Sequence, residues 1–267
     1  MFYFERVAKI KQRIETSELC RAFLNLPDLP SVVPSKPQIM NKPIIKIDVV
    51  SDVVCPWCYI GKRRLEKAID QLKNDFDFEV EYHPFELNPN MPLEGRDQKE
   101  YLTAKFGGED RYRQITSHTE KNAAQEGLKF DFSKQKVSPN TLNSHRLIAF
   151  AKRYRKQAQV KEALMSAYFE KGIDLSKNEN LVAIGAEYGL DAGDTERFLQ
   201  SDELAAEVKL EEQLNCQRGV SGVPFYIINN KYGVSGAQPP EVFVNALSEI
   251  GHEVVAAESC DVETGNC

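Results

Sequence analysis

"SDVVCPWCYIGKRRLEKAI" (residues 51–69) decides how the rest of the chain is read. Two cysteines three apart, Cys55 and Cys58, sit between an apolar run and a stretch with helical spacing. If Cys55 ends a strand and caps a helix, Pro56 falls at the first helical position, where its missing N–H costs nothing. Cys58 then lies one turn along on the same face, its Cα about 5–6 Å away and within disulfide reach. The positive end of the helix dipole favours a thiolate at Cys55, and Cys58 is placed to resolve a mixed disulfide. Two other readings compete. A metal site needs two further ligands, and the chain has neither a second C-x-x-C nor a paired-histidine motif, so no metal is expected. Two core cysteines that happen to be close would not explain the strand, C-P-W-C, helix context.

Outward from this motif the pattern is regular. "IIKIDVV" (44–50) is a β-branched run suited to a buried strand. Leu65, Ala68, Ile69 and Leu72 recur at helical spacing, and "FEVEYHPF" (78–85) alternates as a second strand, which makes a βαβ unit with a parallel pair. Residues 97–217 read as mostly helical. Leu147, Phe150, Ala151 and Tyr154 form one stripe, capped by Ser138 or Asn140, and Val160, Leu164, Ala167 and Tyr168 form another. "PFYIINNKYGVSG" reads as a hairpin turning at Asn229-Asn230. A last helix is expected from Pro239-Pro240 to Gly251, burying Phe243, Ala246, Leu247 and Ile250.

The expected organisation is therefore an N-terminal extension with a proline-rich linker (1–43), one α/β domain (44–250) and a C-terminal tail (251–267). Within the domain, a helical insertion at about 90–217 separates βαβ and ββα halves of one sheet. The first 39 residues are either a loosely attached extension or the product of a start codon upstream of Met40.

Composition narrows the function. A net charge of −6 argues against nucleic acid or an anionic membrane as partner. No run approaches the roughly 20 apolar residues of a membrane span. The N-terminal stretch has no apolar core or small-residue cleavage site, and carries Glu5, Glu15 and Glu18, so a cytoplasmic location is expected. In a reducing compartment, a close cysteine pair is catalytic or metal-binding more often than structural.

Several stretches occur in a familiar order: C-P-W-C-Y-I-G, "PFELNP" (84–89), "NSHRL" (143–147), "AYFEKGIDLS" (167–176), "GVSGVPF" (219–225) and "SGAQPPEVF" (235–243). Over about residues 44–250 the chain resembles the FrnE-like branch of the DsbA thioredoxin-fold family. The resemblance implies a thioredoxin fold with a helical insertion, a nucleophilic Cys55, a resolving Cys58 and a cis Pro224 facing them. It also implies that the Val223 backbone pairs with substrate. On local sequence alone, a trans proline at a strand start is the commoner arrangement. The related kappa-class glutathione transferases and 2-hydroxychromene-2-carboxylate isomerases carry serine where this chain has Cys55. The resemblance therefore favours a thiol–disulfide oxidoreductase or isomerase acting on protein or small-molecule disulfides. It would have no bound cofactor, with a thiol reductant such as glutathione as co-substrate. The alternatives are a glutathione-dependent isomerase or transferase for a small aromatic or polyketide substrate, and a redox-insensitive binding module. Trp57 replaces the histidine of typical DsbA, which argues against a strongly oxidising couple.

Trp57, the sole tryptophan, is either an apolar lip for substrate or packing against the insertion. His83 and His145 read as structural, Cys20 and Cys216 as inert, and Lys62, Arg63 and Arg64 as a solvated helix face. The tail "CDVETGNC" (260–267) can close Cys260 onto Cys267 as an accessory disulfide that exchanges with Cys55–Cys58, or hold two idle thiols.

Overall fold

A computed structural model describes residues 42–259. The N-terminal extension with Cys20, and the Cys260 and Cys267 pair, lie outside the described residues.

Strand β1 (Ile44–Ser51) runs parallel to β2 (Asp77–Pro84) along its whole length and antiparallel to β5 (Phe225–Ile228), which pairs in turn with β6 (Tyr232–Ser235). The sheet order is β2-β1-β5-β6. At its start β1 alternates, with Ile45 and Ile47 buried and Ile44 and Lys46 exposed. By Val49, Val50 and Ser51 every residue is buried. The hairpin turns at Asn229 and Asn230, both left-handed at φ 49° and 56°. This pairing of positive φ values suits a tight β-turn and the asparagines tolerate it.

Helix α1 (Pro56–Leu72) follows β1 after the short link Asp52–Val54. The expected junction is thus displaced: Cys55 caps the helix, but the strand has already ended at Ser51. The insertion comprises the small antiparallel pair β3 (Arg96–Asp97) and β4 (Val137–Ser138) with helices α2 (Gln98–Phe106), α3 (Glu109–Gln125), α4 (Leu142–Lys152), α5 (Gln157–Phe169), α6 (Asn178–Glu187), α7 (Ala192–Gln200) and α8 (Ala205–Gln217). Helix α9 (Pro240–Ser259) returns to pack on α1. The chain therefore has a thioredoxin-like α/β fold with a large helical insertion between its βαβ and ββα halves.

Two apolar clusters hold it together. Beneath the sheet, Ile45, Ile47, Leu65, Ala68, Tyr226, Phe243, Leu247 and Ile250 pack together. Inside the insertion, Tyr59, Ile60, Leu147, Val160, Leu164, Phe169 and Phe198 do the same. Helix α1 contributes to both.

Several local expectations are corrected. Helix α4 is capped by Thr141. Asn140 instead accepts the Leu142 N–H at 3.0 Å from just outside, and Ser138 belongs to β4. Tyr154 lies beyond the end of α4 and is exposed, so it leaves the buried stripe. Lys62, Arg63 and Arg64 are not a solvated face: Lys62 is buried, and all three are ion-paired to carboxylates of the insertion. Lys62 and Arg63 both reach Glu162 on α5, and Arg64 bonds Glu126 beyond α3 and the Ala237 carbonyl. A helical charge pattern cannot tell water from a facing helix with matching acids.

Gly251 does not end the last helix, which continues to Ser259. A Cβ there would overlap the buried ring of Phe76, so the glycine serves a close approach and not a stop. In an open helix interior, Gly→Ala gains about 0.5–1 kcal/mol. Gly251→Ala should instead lose about 1–2 kcal/mol through overpacking. Urea unfolding measures this, and Phe76→Leu in the same background should recover most of the loss; a more stable Gly251→Ala protein would refute the packing account.

Candidate active site

The elements meet where β1 ends. Cys55 is the N-cap of α1 with extended backbone (φ −90°, ψ 111°), and Pro56 follows at the first turn. The Cys55 carbonyl accepts the Cys58 N–H at 3.0 Å, so the second cysteine lies one turn inside the helix. Both thiols are free and both residues are buried. The Cys55 Sγ donates to the Val223 carbonyl at 3.7 Å. The Val223–Pro224 bond that leads into β5 is cis.

Beside Cys55 opens a cavity of about 340 Å³, walled mainly by apolar side chains of the insertion. Cys55, Trp57 and Val223 line it, and Cys58 does not. A reagent entering the cavity thus meets Cys55 first. Trp57 is half-buried, its ring centroid 6.2 Å from that of His118 on α3. It both packs on the insertion core and walls the cavity, so the two expectations for it are not exclusive.

Behind the cysteines are buried charged groups. Asp52, fully buried, accepts the Leu87 N–H at 2.8 Å, and its own carbonyl accepts the Cys55 N–H at 3.3 Å. One carboxylate thus ties the "PFELNP" loop to the loop carrying the nucleophile candidate. His145 Nε2 lies 3.4 Å from Asp52 Oδ1, too poorly aligned to bond, and is left without a partner. His83, half-buried on β2, bonds Glu211 and, at 3.0 Å, Asp48, a structural clasp between sheet and α8.

Burial pushes the Cys58 thiol well above its usual pKa. The hydrogen bond and charge of Cys55 add to the rise, and the Lys161 ammonium partly offsets it. Lys161, on α5, is itself fully buried and is brought down to about 8 by burial, against the pull of Cys58 and Asp52. Buried Glu86 and half-buried Glu212 form a further acidic pair. Burial and neighbouring carboxylates raise Glu86 to about 7 and Glu212 to about 8, and each has one oxygen without a hydrogen-bond partner. Sequence reading missed Lys161, Asp52, Glu86 and Glu212, since each looks like an ordinary surface charge until the insertion covers it. The strings that carry the family resemblance have structural answers too. In "NSHRL", Arg146 donates to the carbonyls of Phe198, Ser201 and Glu203 and so closes the C-terminal end of α7. In C-P-W-C-Y-I-G, Gly61 leaves room for the Tyr226 hydroxyl, which a Cβ would strike.

No group of three or more metal-ligating side chains occurs among the described residues. No described helix is long and apolar enough to cross a membrane. Cys216 is exposed near the end of α8, and nothing brings it to the cavity.

The comparisons agree with the fold. The family model described as a DSBA-like thioredoxin domain matches residues 46–248. YwbO of Bacillus subtilis (strain 168) is 27% identical over 207 residues, covering 77% of this chain and 96% of that protein. The probable DsbA oxidoreductase from Streptomyces coelicolor is 32% identical with a TM-score of 0.74, covering 78% of this chain and 91% of that one. The cytosolic disulfide reductase DsbM from Pseudomonas aeruginosa, with GSH, shares the fold at a TM-score of 0.56 and 15% identity, covering 77% of this chain and 98% of that one.

Replacing Lys161 by Met removes a buried cation whose charge lowers the Cys58 thiol. In a Cys55→Ser background, the alkylation profile of Cys58 against pH should move to higher pH on Lys161→Met, and slow about tenfold per unit moved. Peptide mapping after iodoacetamide reads this directly. An unmoved profile would show that Lys161 does not act on Cys58.

Proposed function

The chain belongs to the DSBA-like thioredoxin domain family, and on that premise we propose that it is a thiol–disulfide oxidoreductase or isomerase working through Cys55 and Cys58. The observation that carries the reading is the placement of Cys55: it caps α1, lines the cavity and faces the Val223 carbonyl, while Cys58 waits one turn inside. The Cys55 thiolate attacks one sulfur of a substrate disulfide, whose S–S bond breaks. The leaving thiolate takes up a proton. The Cys58 thiol then gives up its proton and attacks the Cys55 sulfur, releasing the second substrate thiol and leaving a Cys55–Cys58 disulfide. Substrate gains two electrons and two protons. Two equivalents of a thiol such as glutathione return the enzyme to the dithiol. Run to the mixed-disulfide stage and back, the same steps isomerise wrong disulfides. Trp57 and Val223 line the cavity and meet substrate there, while Pro224 is buried behind Val223 at the head of β5 and acts through the position it gives the Val223 carbonyl. Cys58, with its raised pKa, holds its proton until the mixed disulfide has formed, which orders the two steps.

The glutathione-dependent isomerase reading draws on the same apolar cavity. The two readings part at Cys55, since isomerisation of a small aromatic substrate by bound glutathione does not need its thiol.

Cys55→Ser should abolish reduction of insulin or glutathione disulfide, to below about a thousandth of wild type. Cys58→Ser should accumulate mixed disulfides on Cys55, visible by mass. Turnover surviving Cys55→Ser would refute the exchange mechanism.

The couple should be less oxidising than DsbA, at about −120 mV. Trp57 lends no positive charge to a thiolate as an ionised histidine would. A potential between about −170 and −260 mV is expected, with the dithiol favoured against a cytosolic glutathione poise. Equilibration in glutathione redox buffers, read by the mass shift of the Cys55–Cys58 peptide, gives the value. A result above about −140 mV would overturn the Trp57 argument.

A further inference from the structure

The small strand pair β3–β4 is the part of the fold that neither the sheet nor the cysteine pair explains. Arg96 pairs with Ser138 and Asp97 with Val137, and the Gln98 N–H bonds the Lys136 carbonyl at 2.9 Å. The effect is to lay the side chains of Gln98 and Gln135 side by side, both buried, at 0% and 4% exposure. Gln135 is part of the lining of the cavity beside Cys55.

A relay of hydrogen bonds fixes which way these amides face. The Tyr112 hydroxyl is buried and makes no other hydrogen bond among the described residues, so its proton goes to Gln98 Oε1, 3.2 Å away. Gln98 must then present its NH₂, and Nε2 donates to Gln135 Oε1 at 3.3 Å. Gln135 is left with its own NH₂ as the free end, and that Nε2 is buried without a partner. A buried amide donor left unpaired is costly and is ordinarily satisfied in the functional state. The hydroxyls of Thr116 and Thr119 also line the cavity and each donates to a backbone carbonyl of its own helix, but neither comes within hydrogen-bond reach of Gln135 Nε2.

We infer that this cavity is a specificity pocket for a flat, neutral, apolar group bearing one hydrogen-bond acceptor, such as an aryl or branched-alkyl ketone or amide, held beside Cys55 with its carbonyl on Gln135 Nε2. The inference deepens the exchange reading and rests on it for one thing only, the sulfur that such a substrate would offer to Cys55. The walls of Trp57, Leu87, Met91, Phe132, Phe169 and Val223 take the apolar body. The volume of about 340 Å³ lies at the lower end of the range for small-molecule sites, roughly 300–1,000 Å³. It fits one bicyclic ring system and not a folded protein surface. Selection works through the donor: an analogue without the acceptor leaves Gln135 unpaired, so a polar requirement discriminates more sharply than the apolar walls do.

The test uses two probes without sulfur, 2-acetylnaphthalene and 2-isopropenylnaphthalene, which differ only in a carbonyl oxygen against a CH₂ group. Equilibrium dialysis against the reduced full-length protein should show the ketone binding about five- to tenfold more tightly. In Gln135→Leu the gap should close to within about twofold while the alkene binds as before, which also shows that the variant is folded. Tyr112→Phe, which frees the amides to turn over, should shrink the gap as well. Equal affinities in the wild type, no binding of either probe, or a preference that survives Gln135→Leu would overturn the proposal. Exchange activity is assayed separately with glutathione disulfide. An active enzyme with no ketone preference refutes the pocket alone, and an inactive one that keeps the preference refutes the exchange reading alone.

Discussion

Helix α1 is buried along two faces at once, and the rest of the molecule is arranged around that fact. Its C-terminal half puts Leu65, Ala68 and Leu72 beneath the sheet, against Phe243 and Leu247 of α9. Its N-terminal half puts Cys58, Tyr59 and Ile60 into the insertion core, where the Tyr59 ring stacks on Phe130. A helix gripped by two independent cores cannot tilt without opening one of them, since packed interiors give way in steps and not continuously. Cys55 is therefore held at a fixed place relative to Val223, although 168 residues separate them in sequence.

Charge reinforces the same grip. Glu162 on α5 receives Lys62, Arg63 and the Tyr59 hydroxyl; although burial works against it, these partners hold its carboxyl below the usual range. Lys62 is the buried member, so removing its carboxylate partner leaves a charge out of water and costs more than breaking an exposed pair, which is worth about 0–1 kcal/mol. The cluster ties the helix that carries the thiols to the insertion that walls the cavity. Asp52 makes a second tie, from the loop before Cys55 to the loop after β2. Between them these contacts fix the surroundings of Cys55, and the cavity lies beside it.

The insertion thus does more than shield. It supplies the buried lysine behind Cys58, the apolar walls beside Cys55, and the glutamine relay that ends at Gln135. The thioredoxin-like half brings the two thiols, the helix end and the Val223 carbonyl. The two thiols are placed by one part of the fold and the cavity walls beside them mainly by the other.

The strands, α1, the helical block and the closing hairpin were legible in the sequence because each carries its own period: β-branched alternation in Ile44–Val50, a four-residue stripe in Leu65–Leu72, a turn at Asn229-Asn230. Cys55-Pro56-Trp57-Cys58 was legible for a similar reason, since its spacing and its proline act through the local helix end alone. What the sequence could not decide was everything that depends on a distant neighbour. Gly251 looked like a helix stop because nothing nearby in sequence announces the Phe76 ring. Lys62, Arg63 and Arg64 looked solvated because their acids lie on other helices. Lys161, Asp52 and Gln135 carry no periodic signal at all, and their properties arise from desolvation, which exists only once the insertion has closed over them. The sequence by itself determined the main strands, α1, the helical character of the insertion and the spacing of the cysteine pair; tertiary packing decided the β3–β4 pair, which charges lost their water and which buried donor was left without a partner.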